Sequence, residues 1–142
     1  MIDHSTAPYA ALVLRIGLGT MFIAHSLWLK LFVFTLPGTA QFFGSIGLPP
    51  ALAYVVFAME AAGGIALILG MATRAVSIAL IPVLLGAAWA HAGNGWLFTN
   101  ANGGWEYPAF LTLATLVQAM LGDGAFALRS SVAKGKARPQ TA

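Results

Sequence analysis

The hydropathy of the chain rises and falls four times. Apolar runs over residues 8–29, 51–70, 75–91 and 106–126 each approach the roughly twenty residues that a helix needs to cross a bilayer. Ser5, Thr6 and Pro8 form a start signal for the first run. The second, ALAYVVFAMEAAGGIALILG, has a single carboxylate, Glu60, in its middle. Pro82 in the third predicts a kink that neighbouring helices can accommodate. Gly122-Asp123-Gly124 predicts a break near the end of the fourth.

The links between these runs differ in character. Residues 31–50 are half apolar and predict a short interfacial helix with Thr39 as its N-cap, Phe42, Phe43 and Ile46 on its apolar side, and Gly47-Leu48-Pro49-Pro50 as its stop. Residues 70–74 are a tight turn ending in Arg74. Residues 92–105, AGNGWLFTNANGGW, are rich in Gly and Asn, carry large aromatics and hold no charge. The pattern predicts an all-α integral membrane four-helix bundle with a short interfacial helix between the first two spans. It forms one domain over residues 1–128, followed by a basic tail over 129–142.

Composition supports this class. Of 142 residues, 59% are hydrophobic and 8% charged, with mean hydropathy +0.83, against the roughly one quarter charged of ordinary soluble domains. The amino terminus lacks the basic n-region of a secretory signal, so the first run is expected to remain in the mature protein. There is no cysteine, which removes disulfides, thiolate nucleophiles and Cys-ligated metal or iron–sulfur centres. The net charge of +3 does not point to nucleic acid, because four of the seven basic residues (Arg129, Lys134, Lys136 and Arg138) lie in the tail. A basic tail beside a hydrophobic helix instead sets topology. With Arg74 on the same side and Lys30 on the other, both termini are expected to be cytoplasmic, as in a bacterial inner-membrane protein.

Charges inside the spans are the informative residues. A carboxylate at mid-membrane costs about 2.5 kcal/mol or more without a partner. From the helical rise, Arg15 lies about 10 Å from the inner face and Glu60 about 16 Å, within reach of an Arg side chain. Gly19, Gly63 and Gly64 permit close approach of the two helices. An Arg15–Glu60 buried ion pair is therefore expected, serving either helix register or proton movement. Nearer the outer face, His25, His91 and Glu106 fall at similar depth, and all four tryptophans (Trp28, Trp89, Trp96 and Trp105) lie at that boundary. They form either an aromatic belt or a cap over a site. A metal site is not expected, because the His and Glu residues come from different helices without local ligand spacing.

The segments LRIGLGTMFIAHSLWLK, FFGSIGLPPALAY, MEAAGGIALILGMATR, NGGWEYP and LGDGAFAL resemble the DoxX family of small four-helix bacterial membrane proteins. The likeness covers roughly residues 10–128. Two positions depart from the family pattern: Arg129 stands where relatives often carry an acid, and His25-Ser26 stands for a His-Gly. The resemblance implies a membrane subunit of quinol-oxidising or thiosulfate:quinone systems, or of redox-stress complexes. Under it, His25, His91 and Glu106 would hold a quinone headgroup or take up its protons, with Trp28, Trp89 and Trp105 packing on the ring. A redox partner with a flavin, haem or metal centre, or a second copy of the chain, would then be needed, because this chain has no electron carrier. Two further readings stay open: a non-catalytic anchor or assembly protein for a redox partner, and a small proton or solute pathway through Glu60 and Arg15.

Overall fold

In a computed structural model, residues 3–128 are described, and the expected basic tail over 129–142 lies outside them. Five α-helices and no strand are present among the described residues. Helix α1 spans Ala7–Ile23 with Pro8 in its first turn. It passes without interruption into a π-helical segment, Ala24–Val33. The joined rod of 27 residues does not stop at Leu29 as expected. Leu31, Phe32, Val33 and Phe34 continue the apolar run past Lys30, and Lys30 finds a partner inside the bundle.

Thr35, at φ 63°, turns the chain into α2 (Leu36–Ser45), and its Oγ1 accepts a hydrogen bond from the Gly38 N–H at 3.2 Å. The cap is therefore Thr35 and not Thr39. Thr39 is buried one turn into the helix, and its hydroxyl donates to the Thr35 carbonyl. Helix α3 covers Leu52–Leu69 and ends in Gly70, whose left-handed φ of 69° lets its N–H satisfy terminal carbonyls of the helix. Helix α4 covers Thr73–His91 and contains Pro82. Helix α5 covers Glu106–Leu121 and stops at Gly122, φ 84°.

Three rods are long and apolar enough to cross a bilayer: Ala7–Val33, Leu52–Leu69 and Thr73–Asn94. Helix α5 has 16 residues, about 24 Å at the helical rise. That is short of a hydrocarbon core of about 30 Å. Residues 122–128 leave the helix as an irregular strap of turns across the end of the bundle where α1 begins, here called the terminal end. The opposite, loop end carries residues 95–105.

Helices α4 and α5 form the most extensive pair, followed by α1 with α3. The second contact is made by glycines. A Cβ on Gly19 would stand 2.8 Å from the Gly64 carbonyl oxygen, and one on Gly64 2.9 Å from the Gly19 oxygen. Small residues drive such contacts in lipid, where burial of apolar surface gives no advantage and close packing must supply the attraction.

The interior is layered. Along α1 the buried face reads Arg15, then Leu18 and Phe22, then Ser26; along α3 it reads Glu60, then Leu67; along α4 it reads Thr73 and Ser77, then Leu80 and Leu84. Leu18, Phe22, Leu67, Leu80 and Leu84 form one apolar cluster. This cluster separates polar groups at the terminal end from polar groups in the loop-end half.

Replacing Gly64 with Ala should destabilise the detergent-solubilised protein by about 1–3 kcal/mol through overpacking against backbone. Gly17→Ala, with nothing within 4 Å of the added methyl, should be neutral or slightly stabilising in the same thermal unfolding experiment. Equal effects at the two positions would refute the glycine contact.

Candidate functional site

The loop-end polar layer is built around Lys30. Its Nζ donates to Glu60 Oε2 at 2.5 Å, and both side chains are largely shielded, at 17% and 7% exposure. Lys30 stands in the π-helical segment, whose backbone bonds i→i+5. A lysine side chain also projects back toward the helix N-terminus, which here means into the bundle. The expected Arg15–Glu60 pair is not formed; Glu60 takes the nearer ammonium, and the apolar cluster lies between it and Arg15.

His25 turns toward α5. Its Nδ1 is 2.8 Å from the Met21 carbonyl oxygen, which can only accept, so Nδ1 carries the proton. In the neutral ring Nε2 is then left as an acceptor. The imidazole stacks on Tyr107, with ring centroids 5.8 Å apart and planes 25° from parallel. The Tyr107 hydroxyl is buried and has no hydrogen-bond partner.

On the other side of Tyr107 is an apolar groove of about 590 Å³, lined by Trp96, Phe98, Glu106, Tyr107, Ala109, Phe110 and Leu113. The loop folds down to make its upper wall. The Trp105 N–H donates to the Gly95 oxygen, the Glu106 N–H to the Trp96 oxygen, and Glu106 Oε1 accepts from the Phe98 N–H at 2.8 Å. Trp96 and Trp105 meet edge to face at 4.4 Å. Glu106 stands in the first turn of α5, where the helix dipole favours a carboxylate.

His91 does not join this group. Its Nδ1 donates to the Asn102 carbonyl oxygen at 3.0 Å, alongside Asn94 Nδ2 at 3.1 Å, and it pins the loop. Trp28 and Trp89 are more than half exposed, and Trp28 packs on Phe32. Of the three tryptophans expected on a ring, only Trp105 stands beside the groove, through Trp96. Among the described residues, no three His, Asp or Glu side chains are arranged to hold a metal ion.

Arg15 works at the terminal end. It is 1% exposed, and its Nη2 donates to the Ala125 oxygen of the strap at 3.2 Å. Asp123 Oδ1 also accepts from the Thr73 N–H at 3.1 Å and so caps α4 from another part of the chain.

Fold and charge placement define a small helical membrane protein with paired charges inside the bundle and an aromatic groove at one end. The DoxX family profile matches residues 10–93, and the chain belongs to the DoxX family. It is also 38% identical over 125 residues, 88% of each chain, to a Bacillus subtilis (strain 168) protein named "Putative oxidoreductase CatD". No solved structure matches the chain.

Sequence reasoning missed Lys30 and Tyr107. Lys30 was legible: four apolar residues follow it, so it stands inside a hydrophobic run and not at its edge. Tyr107, one residue past Glu106, carried no signal beyond that adjacency.

Glu60→Gln and Lys30→Met should each cost about 3–5 kcal/mol, because each strands a buried charge. Thermal unfolding of the single variants in mild detergent measures this. Losses below about 1 kcal/mol for both would mean that the pair is solvated.

Proposed function

We propose that this DoxX protein is a membrane subunit of a redox system that handles a quinone or quinol at the loop-end groove. The observation that carries the reading is the Tyr107 hydroxyl, buried without a partner beside an aromatic-walled groove that also holds a carboxylate. Binding pockets have this anatomy, apolar walls with a few convergent polar groups. The relative named as an oxidoreductase points the same way.

In this reading the ring packs among Trp96, Phe98 and Phe110. The Tyr107 hydroxyl donates to one ring oxygen, and the free oxygen of Glu106 accepts from a quinol hydroxyl. Oxidation of a quinol releases two protons and two electrons. Glu106 and the unprotonated Nε2 of His25 are the groups near the groove that take up protons. The electrons leave to a flavin, haem or metal centre of a partner protein, since a chain without cysteine holds no thiolate-ligated centre of its own.

The orientation that fits is a bacterial inner membrane with both termini cytoplasmic. Arg74 lies at the terminal end and the tail sequence is basic, while Lys30 is withdrawn into the bundle and the links 31–50 and 92–105 carry no Lys or Arg. The groove then faces the periplasmic side.

A second reading, an anchor or assembly protein for a redox partner, is favoured by Trp96, Leu97 and Phe98, all exposed on the loop. A proton path through Glu60 and Arg15 is disfavoured by the five apolar side chains between them.

Titration of the purified protein with a short-tailed quinone, followed by quenching of Trp96 and Trp105 fluorescence, should give saturable binding. Tyr107→Phe and Glu106→Gln should each weaken it about tenfold, the equivalent of one hydrogen bond, and His91→Ala should leave it unchanged. Absence of saturable quenching in the unmodified protein removes the quinone reading and leaves the anchor.

A further inference from the structure

The terminal end holds a second set of polar groups that the groove does not use. Arg15 is 1% exposed, and two of its nitrogens, Nε and Nη1, have no hydrogen-bond partner. Thr73, fully buried at the first residue of the 19-residue α4, has an unpartnered hydroxyl as well. The guanidinium lies against Gly70, at a place that any Cβ on that residue would occupy. A buried donor without an acceptor is costly, and a charged one more so. Helix N-termini attract anions through their free N–H groups and dipole. Arg74 adds a second guanidinium at the same corner, lying over Gly122, where a Cβ would stand 2.9 Å from its Nε.

One carboxylate now sits beside these donors, Asp123, bonded to the Thr73 N–H and two residues before Ala125, whose carbonyl accepts from Arg15. It is delivered by the strap, which is held by the Ala125 N–H to the Pro8 oxygen at 2.9 Å, the Leu128 N–H to the Leu69 oxygen at 3.0 Å, the Gln118 amide to the Gly122 oxygen at 2.7 Å, the Arg15 bond to Ala125 and the Phe126 ring edge on Tyr9. The strap also carries strain. Phe126 adopts a left-handed φ of 53°, disfavoured for a side chain of its size. Phe126 and Leu128 are 79% and 71% exposed.

We propose that the terminal end is an oxyanion-binding site formed by Arg15 and the Thr73 N–H and hydroxyl, in which the chain's own Asp123 now takes the Thr73 N–H, and that a phosphate group takes the place of Asp123 when the strap lifts. The donor set of planar guanidinium, helix N–H and hydroxyl matches a phosphate, which offers more acceptor oxygens than a carboxylate. The phosphate belongs either to an anionic lipid headgroup or to a free phosphate compound. The site is independent of the quinone groove.

Two experiments on the full-length protein test this. In detergent, Asp123→Ala should lose stability and regain it with inorganic phosphate, by about 5 °C or more near saturation, while chloride at matched ionic strength has no effect. Adding Arg15→Gln should abolish the gain. If Asp123→Ala does not fold, Asp123→Asn serves in its place. In nanodiscs, hydrogen exchange at the Ala125 and Leu128 amides of the unmodified protein should accelerate when the strap is displaced. Acceleration in phosphatidylglycerol relative to phosphatidylcholine without added phosphate identifies the lipid headgroup; acceleration in phosphatidylcholine only on adding phosphate identifies the free anion. No phosphate-specific gain, a gain that survives Arg15→Gln, or amides equally protected in all conditions would each overturn the proposal.

Discussion

A carboxylate in the middle of an apolar helix has to be neutralised by something close, and in this protein the Lys30 ammonium does it. In a medium of low dielectric a charge left alone costs several kcal/mol, whereas a tight hydrogen-bonded pair recovers much of that loss. The requirement shapes the first helix. It continues past Lys30 in π-helical form, and its lysine reaches down into the bundle instead of out to the headgroups. Helix α2 then begins beyond it, with Thr35 turning the chain back over α3.

The same rule applied at the other end gives a second arrangement. Arg15 does not pair with Glu60 across Leu18, Phe22 and their neighbours, and its guanidinium bonds instead to the Ala125 carbonyl of the strap. Each buried basic residue thus ties α1 to a different element, Lys30 to α3 and Arg15 to the chain after α5. Between them the apolar cluster and the glycine contact of Gly19 with Gly64 set the spacing of α1 and α3. The helix order and the glycine positions make both ties possible at once.

Much of this was legible in the sequence. Hydropathy placed the helices, and the left-handed Gly70 and Gly122 ended α3 and α5 close to the expected turns. The need of Glu60 for a partner followed from its setting alone. Its identity did not, because depth along straight α-helices favoured Arg15, and neither the switch to i→i+5 bonding nor the backward reach of Lys30 was counted. The candidate site shows the same division. Residue type and depth pointed to Glu106, His25 and His91 together; the structure sets Glu106 at the groove and His25 on Tyr107, while His91 bonds to the Asn102 carbonyl in a loop whose path no periodicity encodes. Tyr107 came to light only through its buried hydroxyl and its stack on His25.

Membership of the DoxX family and likeness to a protein named as an oxidoreductase accompany a bundle that offers an aromatic groove beside a carboxylate and an imidazole. The redox role proposed for it would give the bundle the task of supplying position and charge. All of that rests on how the buried charges pair. The most direct test is charge exchange: the unfolding midpoint of Lys30→Glu/Glu60→Lys compared with either single reversal and with Arg15→Glu/Glu60→Arg. The pairing described here predicts that the first double variant recovers most of the stability lost by its singles and that the second recovers none; recovery in the Arg15 exchange alone would contradict it.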